Sequence, residues 1–118
     1  MKLTKKEEEV MKIIWEIEPC LVSDIISKMD DPNTPHSTVS SVARILEKKG
    51  YVRHKSYGRT YEYYSVVKKF QYSKNRLKKM VRDYFDGSVS SLVSFLVEEN
   101  ELDVDELNRI IDELDQNE

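Results

Sequence analysis

Between Thr34 and Val66 the period of the apolar residues switches once, from a helical repeat to a strand-like one, and a glycine marks the change. Val39, Val42, Ala43 and Leu46 fall at i, i+3, i+4 and i+7, a single stripe along one helix. Gly50 stops that helix. Tyr51, Val52 and Arg53 then start one strand, Ser56-Tyr57-Gly58-Arg59 supplies a turn, and Thr60 to Val66 form the returning strand, where Tyr61, Tyr63, Tyr64 and Val66 crowd together.

Upstream, Thr4 and Glu7 stand at capping-box spacing ahead of Val10, Ile13, Ile14 and Ile17, a helix ended by Pro19. Val22, Ile25, Ile26 and Met29 repeat the period in a shorter helix that runs into the turn cluster Asp30-Asp31-Pro32-Asn33. Thr34 and Pro35 offer the third helix an N-cap and a proline at its first helical position. Three short helices leading into a hairpin predict a winged helix-turn-helix over residues 1–70, mainly α with a small β-hairpin wing. A chain of 118 residues holds one such domain of roughly 65–70 residues and an appendage.

The appendage, residues 71–118, reads as helices without hairpins. Ser73 caps a fourth helix bearing Leu77, Met80, Val81, Tyr84 and Phe85, broken at Asp86-Gly87. Ser88 restarts a fifth with Val89, Leu92, Val93, Leu96 and Val97, and a second capping box at Asp103 and Glu106 opens a sixth with Leu107, Ile110, Ile111 and Leu114. Helices this short bury their faces poorly alone. Pairing with a second copy through Leu77, Val81, Phe85, Leu92, Val93, Leu96, Leu107, Ile110, Ile111 and Leu114 makes this a helical dimerisation region, and packing back on the first domain is the alternative.

The third helix turns Ser37, Ser40, Ser41, Arg44 and Lys48 away from its buried stripe, and it carries no acid from Pro35 to Leu46. Exposed helix faces are ordinarily filled with Glu and Lys pairs, whereas short hydroxyls and one arginine suit close approach to base edges and phosphates. The charge partition agrees. Residues 36–82 hold 13 Lys and Arg against Glu47 and Glu62, while residues 83–118 hold one Arg against 12 acids, so a net charge of −3 conceals a strongly basic segment. Double-stranded DNA is the partner these features imply, with Arg59 at the hairpin tip for a minor groove or a phosphate. The tyrosines of the hairpin are read as sheet packing rather than as platforms for unpaired bases.

Other classes find little support. No phosphate loop, nucleophile elbow or paired-carboxylate constellation is present, so no enzyme is expected. Cys20 is the single cysteine and neither His36 nor His54 is near it in sequence, so no metal site and no cofactor are expected. With no signal-peptide pattern and no apolar run of spanning length, a cytoplasmic protein without direct membrane binding is expected. A protein-interaction winged helix, whose basic face meets an acidic partner, and a ligand- or metal-sensing winged-helix repressor remain the alternatives.

Leu3-Thr4, Glu7, Val10-Met11 and Ile13-Ile14-Trp15, then Thr38-Val39, then Arg44, Leu46 and Lys49-Gly50-Tyr51-Val52, then Gly58-Arg59, Tyr61 and Tyr63, and last Asp86-Gly87-Ser88 and Ser91-Leu92-Val93, resemble in order and spacing the penicillinase repressor (BlaI/MecI/CopY) family of winged-helix transcriptional regulators. The resemblance spans roughly residues 3–114. It implies a homodimeric repressor on palindromic operators of β-lactam resistance genes, inactivated by cleavage that a membrane-bound sensor protease triggers. It places Ser37, Thr38, Ser40, Ser41 and Arg44 against the major groove and Arg59 near the backbone or minor groove, and it puts the cut at Phe95-Leu96. Ser40 stands where relatives often have arginine, the usual small-polar-then-Phe pair is shifted here, and Phe95 reads equally as a core residue of the dimer helix. The Cys-x-Cys pairs of the copper-responsive branch are absent.

Overall fold

Thr4 starts α1 (Lys5–Ile17) by the capping box its sequence announces: its hydroxyl accepts from the Glu7 N–H at 3.2 Å, and the Glu7 carboxylate accepts from the Thr4 N–H at 3.1 Å. These contacts come from a computed structural model that describes residues 3–99 together with Asp103, Asp105, Asn108 and Arg109. The chain divides into two units, Met1–Ser73 and Lys74–Glu118.

The first unit is a winged helix. α2 (Val22–Lys28) and α3 (His36–Lys48) follow α1, and β1 (Val52–Tyr57) pairs antiparallel with β2 (Thr60–Ser65) in the register His54 to Tyr63 and Tyr57 to Thr60. Val10, Met11, Ile13 and Ile14 of α1, Val22 and Ile25 of α2, and Val39, Val42, Ala43 and Leu46 of α3 are buried together with Val52 and Tyr63 of the sheet. Each large apolar side chain so buried contributes about 1.5–3 kcal/mol. Ile17 and Ile26, expected in the core, are half-buried at its margin.

Two details fix how the wing leaves α3. The Tyr51 N–H bonds to the Leu46 carbonyl at 2.9 Å and the Gly50 N–H to the Glu47 carbonyl at 3.0 Å, the Schellman pair, with Gly50 at φ +87°. Cys20, between α1 and α2, exchanges both backbone hydrogen bonds with Tyr63, at 2.9 and 2.7 Å, so a third short segment is stitched to the edge of the hairpin. At the base of β2, the Ser65 N–H and hydroxyl both donate to the Glu18 carboxylate at 2.8 Å.

Several boundaries differ from the sequence reading. The strands run Val52–Tyr57 and Thr60–Ser65, and the connecting loop is Gly58-Arg59 alone. A positive φ at Gly58 only, +62°, is the type II′ pattern, whose twist matches the hairpin better than a wider turn does. Pro35 is the N-cap of α3 rather than its first helical residue, because the Thr34 hydroxyl is spent closing the preceding turn on the Asp31 carbonyl at 2.7 Å. The fourth helix, α4 (Lys69–Tyr84), begins four residues before the expected cap at Ser73. Tyr72 draws that turn forward: its ring packs 5.4 Å from Trp15 and 6.0 Å from Tyr51, and its hydroxyl donates to Glu8 at 2.9 Å.

In the second unit, α4 ends at a turn where Asp86 (φ 52°) and Gly87 (φ 78°) are left-handed and the Gly87 N–H bonds to the Val81 carbonyl at 3.0 Å. Ser88 caps α5 (Val89–Glu98), accepting from the Ser91 N–H at 3.1 Å as its sequence predicts. Phe85 and Phe95 face each other with ring centroids 6.1 Å apart. Leu77, Met80, Tyr84, Val89 and Phe95 are exposed, and Leu92, Val93 and Leu96 half-buried. Val81 is already buried within the chain, which leaves it little free surface for a second copy. Of the expected sixth helix, Asp105, Asn108 and Arg109 are helical, while Leu107, Ile110, Ile111 and Leu114 lie outside the described residues. Among the described residues no helix is long and apolar enough to cross a membrane.

Candidate nucleic-acid interface

Burying Val39, Val42, Ala43 and Leu46 forces the other side of α3 outward. Ser37, Thr38, Ser41, Arg44 and Lys48 are all exposed and Ser40 is half-buried. The helix therefore presents hydroxyls along its first two turns and cations further on. Among the described residues neither Arg44 nor Lys48 is held in an ion pair, so both are available to an anion.

β1 and β2 return beside α3 and enclose an open cleft of about 620 Å³. His36, Ser40 and Arg44, spaced i, i+4 and i+8, line it from α3; Gly58, Arg59, Thr60 and Tyr61 line it from the wing; Leu21, Val22 and Ser23 close it at the start of α2. No lining residue is acidic. Two guanidinium groups thus face a concave wall of hydroxyls without a carboxylate to neutralise them, an arrangement that attracts a polyanion and offers it directional donors. Tyr63 also borders the cleft and remains a phenol: burial first, then the charge of Glu47, push its pKa up, with Arg44 pulling the other way.

The first acid of α3, Glu47, is drawn off to the side. Its two carboxylate oxygens lie 2.7 and 2.9 Å from Nδ1 of His54 on β1. The outer face of the hairpin carries Arg53 and Lys55, both exposed, with the Lys55 ammonium 5.9 Å from the centre of the Tyr64 ring.

Of the residues singled out from the sequence, the structure brings Ser40, Arg44 and Arg59 into one cleft, while Ser37, Thr38, Ser41 and Lys48 lie on α3 beyond its rim. His36, Ser23, Thr60 and Tyr61 join the site without having been singled out. His36 was accessible to reasoning, one helical turn before Ser40, with its ring nitrogen 3.4 Å from the Ser40 hydroxyl. Ser23 was not, because only the tertiary approach of α2 to the wing places it there.

The family model described as Penicillinase repressor matches residues 3–116. The methicillin resistance regulatory protein MecI of Staphylococcus aureus is 26% identical over 110 residues, covering 92% of this chain and 89% of its own. MecI of Mammaliicoccus sciuri has the same identity and coverage. The penicillinase repressor of Bacillus licheniformis is 24% identical over 110 residues, covering 92% of this chain and 86% of its own.

Proposed function

The chain belongs to the penicillinase repressor family, and from that premise we propose that it is a sequence-specific transcriptional repressor that occupies operator DNA as a homodimer in the cytoplasm. The observation that carries this reading is the acid-free cleft in which Arg44 of α3 and Arg59 of the wing converge. α3 enters the major groove, with Ser37, Thr38, Ser40 and Ser41 at base edges or phosphates, Arg44 bidentate on a base or a phosphate, and Lys48 on the backbone. Arg59 lies against the backbone or minor groove beside it.

Two copies joined through α4, α5 and the residues after them, by Leu77, Phe85, Leu92, Val93 and Leu96 and by Leu107, Ile110, Ile111 and Leu114, give two reading helices related by a two-fold axis. That symmetry requires a palindromic operator. The exposed apolar side chains of α4 and α5 support such an interface. The names of the relatives point to resistance genes as the regulated set. Release follows from cleavage in α5 at Phe95-Leu96 by a protease linked to a membrane sensor.

Fluorescence anisotropy on the chain's own promoter and on a scrambled duplex, across a salt series, tests the central claim. A large promoter preference with affinity falling steeply as salt rises supports it, and equal weak binding to both refutes it. Sedimentation across a dilution series checks the dimer, with a monomer at all concentrations counting against it. Mass analysis of the protein from cells challenged with a β-lactam checks the cut, and an intact chain after derepression would refute it.

A further inference from the structure

The wing reaches its tip with little to hold it. Tyr63 and Ser65 anchor the base of the hairpin through Cys20 and Glu18, whereas Lys55 to Tyr61 are all exposed. Opposite Tyr63 in the ladder, at the level where the exposed tip begins, His54 makes a polar tie to α3: both Glu47 carboxylate oxygens lie on its Nδ1, at 2.7 and 2.9 Å. The His54 ring in turn lies flat on Tyr61, centroids 4.1 Å apart with planes inclined 19°, and Tyr61 lines the cleft two residues from Arg59.

We propose that Glu47 and His54 are positioning residues for DNA binding: the pair clamps the wing against α3, and through Tyr61 holds Arg59 in place across the cleft from Arg44. The inference rests on the repressor reading above and extends it to residues that touch no DNA.

The lever arm shows why a clamp is needed. The tip lies four residues beyond Tyr63, roughly 13 Å at about 3.3 Å per residue, so a wing tilted by about 10° displaces Arg59 by about 2 Å. A charge-assisted hydrogen bond tolerates a spread of only about half an ångström. The hairpin's own ladder fixes its internal register but not its angle to α3, and an acid near DNA is otherwise unfavourable. Glu47 is a carboxylate facing the wing of a protein that binds a polyanion, so for the clamp to serve binding its bond to His54 has to outweigh its repulsion.

That opposition of signs makes the test decisive. Glu47→Ala and Glu47→Gln both remove the negative charge, and on electrostatics alone both tighten DNA binding equally. Glutamine keeps a donor and an acceptor for Nδ1 in either imidazole tautomer, whereas alanine has neither. Anisotropy on the promoter duplex is expected to show Glu47→Ala binding about tenfold weaker per half-site than Glu47→Gln, the scale of one charge-assisted contact. Arg59→Ala is expected to cost about tenfold per half-site in the Glu47→Gln background and less than about twofold in the Glu47→Ala background, because an unclamped arginine has little left to lose.

Thermal melts confirm that the variants fold; His54→Phe, which keeps the ring on Tyr61 and lacks Nδ1, takes the place of Glu47→Ala should that variant not fold, with the same loss expected. Equal affinities for Glu47→Ala and Glu47→Gln, or an undiminished Arg59→Ala cost in the alanine background, would overturn the clamp alone. A wild-type protein with no preference for the promoter would overturn the repressor reading, and the clamp with it.

Discussion

Replacing Arg59 with alanine separates electrostatic anchoring from base reading. Arg59 occupies the second position of a two-residue turn, is exposed, and among the described residues takes part in no ion pair, so its loss should leave the fold and its melting temperature unchanged. A dimer carries two wings, so the substitution removes two phosphate contacts per complex. Each contact on B-DNA contributes about 0.9 to the slope of log K against log salt, which makes the expected change in slope about 1.8. Between roughly 50 and 200 mM salt, a fourfold range, that difference shrinks the variant's deficit by about one decade, and it does so on promoter and scrambled duplex alike. Arg44→Ala behaves differently if it reads a base: it lowers the promoter-to-scrambled ratio by about 1–3 kcal/mol per half-site. Anisotropy titrations at five or six salt concentrations read both quantities. Parallel salt lines for wild type and Arg59→Ala would refute the assignment of the wing tip to the phosphate backbone.

The remaining predictions concern the frame that carries the site. Glu7 is buried on α1 with its carboxylate 2.6 Å from the Lys49 ammonium, which is itself partly exposed, so Glu7→Gln should cost about 2 kcal/mol in chemical denaturation, less than a fully buried pair. The bond from Lys49 holds the Glu7 carboxyl below its ordinary 4.5 against the opposing effect of burial; the stabilisation is therefore complete above the unfolded-state value and lost as pH falls through the lower folded-state one, and the variant's stability should decline less steeply in acid. An identical acid profile for both proteins would refute this. Gly50→Ala should cost about 1 kcal/mol and Gly50→Asn less, because φ is +87° yet nothing lies within 4 Å of an added Cβ, leaving backbone strain as the sole penalty; equal melts for all three would contradict it. Cys20 is buried, and burial, with Asp24, Glu18 and Glu62 adding to it, pushes its thiol up to about 12, so at pH 8 a thiol reagent should modify the native protein only as fast as it unfolds. Rapid stoichiometric labelling without denaturant would disprove that burial.

The parts of the fold legible in the sequence are those governed by local periodicity. Val39, Val42, Ala43 and Leu46 are buried because a helix cannot place that stripe anywhere else, and Thr4, Gly50 and Ser88 act where their short-range chemistry requires. Contacts between distant segments escaped. The pairing of Cys20 with Tyr63 has no local signature, since a single residue in a loop shows no alternation. The early start of α4 depends on Tyr72 finding Trp15 and Tyr51, more than 20 residues away in each case. In the cleft, Arg44 and Arg59 announced themselves by composition, whereas Ser23 and Thr60 belong to it only because α2 and the wing converge on α3. Glu47 shows the same limit from the other side: on a helix wheel it is the acid that ends a basic face, and only its bond to His54 reveals a different task.

α3 carries three separable duties, and the period of the helix keeps them apart. Its inner stripe is core, so Val42→Ala should lower stability and leave the DNA affinity of the folded fraction intact. Among the described residues its outer hydroxyls form no side-chain hydrogen bond besides the Ser40 contact with His36, so Ser41→Ala should leave stability within about 0.5 kcal/mol of wild type and alter only which duplexes are bound. Its last turn, where Leu46 and Glu47 accept the Schellman bonds and Glu47 meets His54, sets the angle at which the wing departs. A substitution there should change affinity through Arg59, a residue it does not touch. Measuring stability and the promoter-to-scrambled ratio for one variant of each kind tests the partition, and a core variant that changed the ratio as much as Ser41→Ala would show that packing and reading on this helix are not independent.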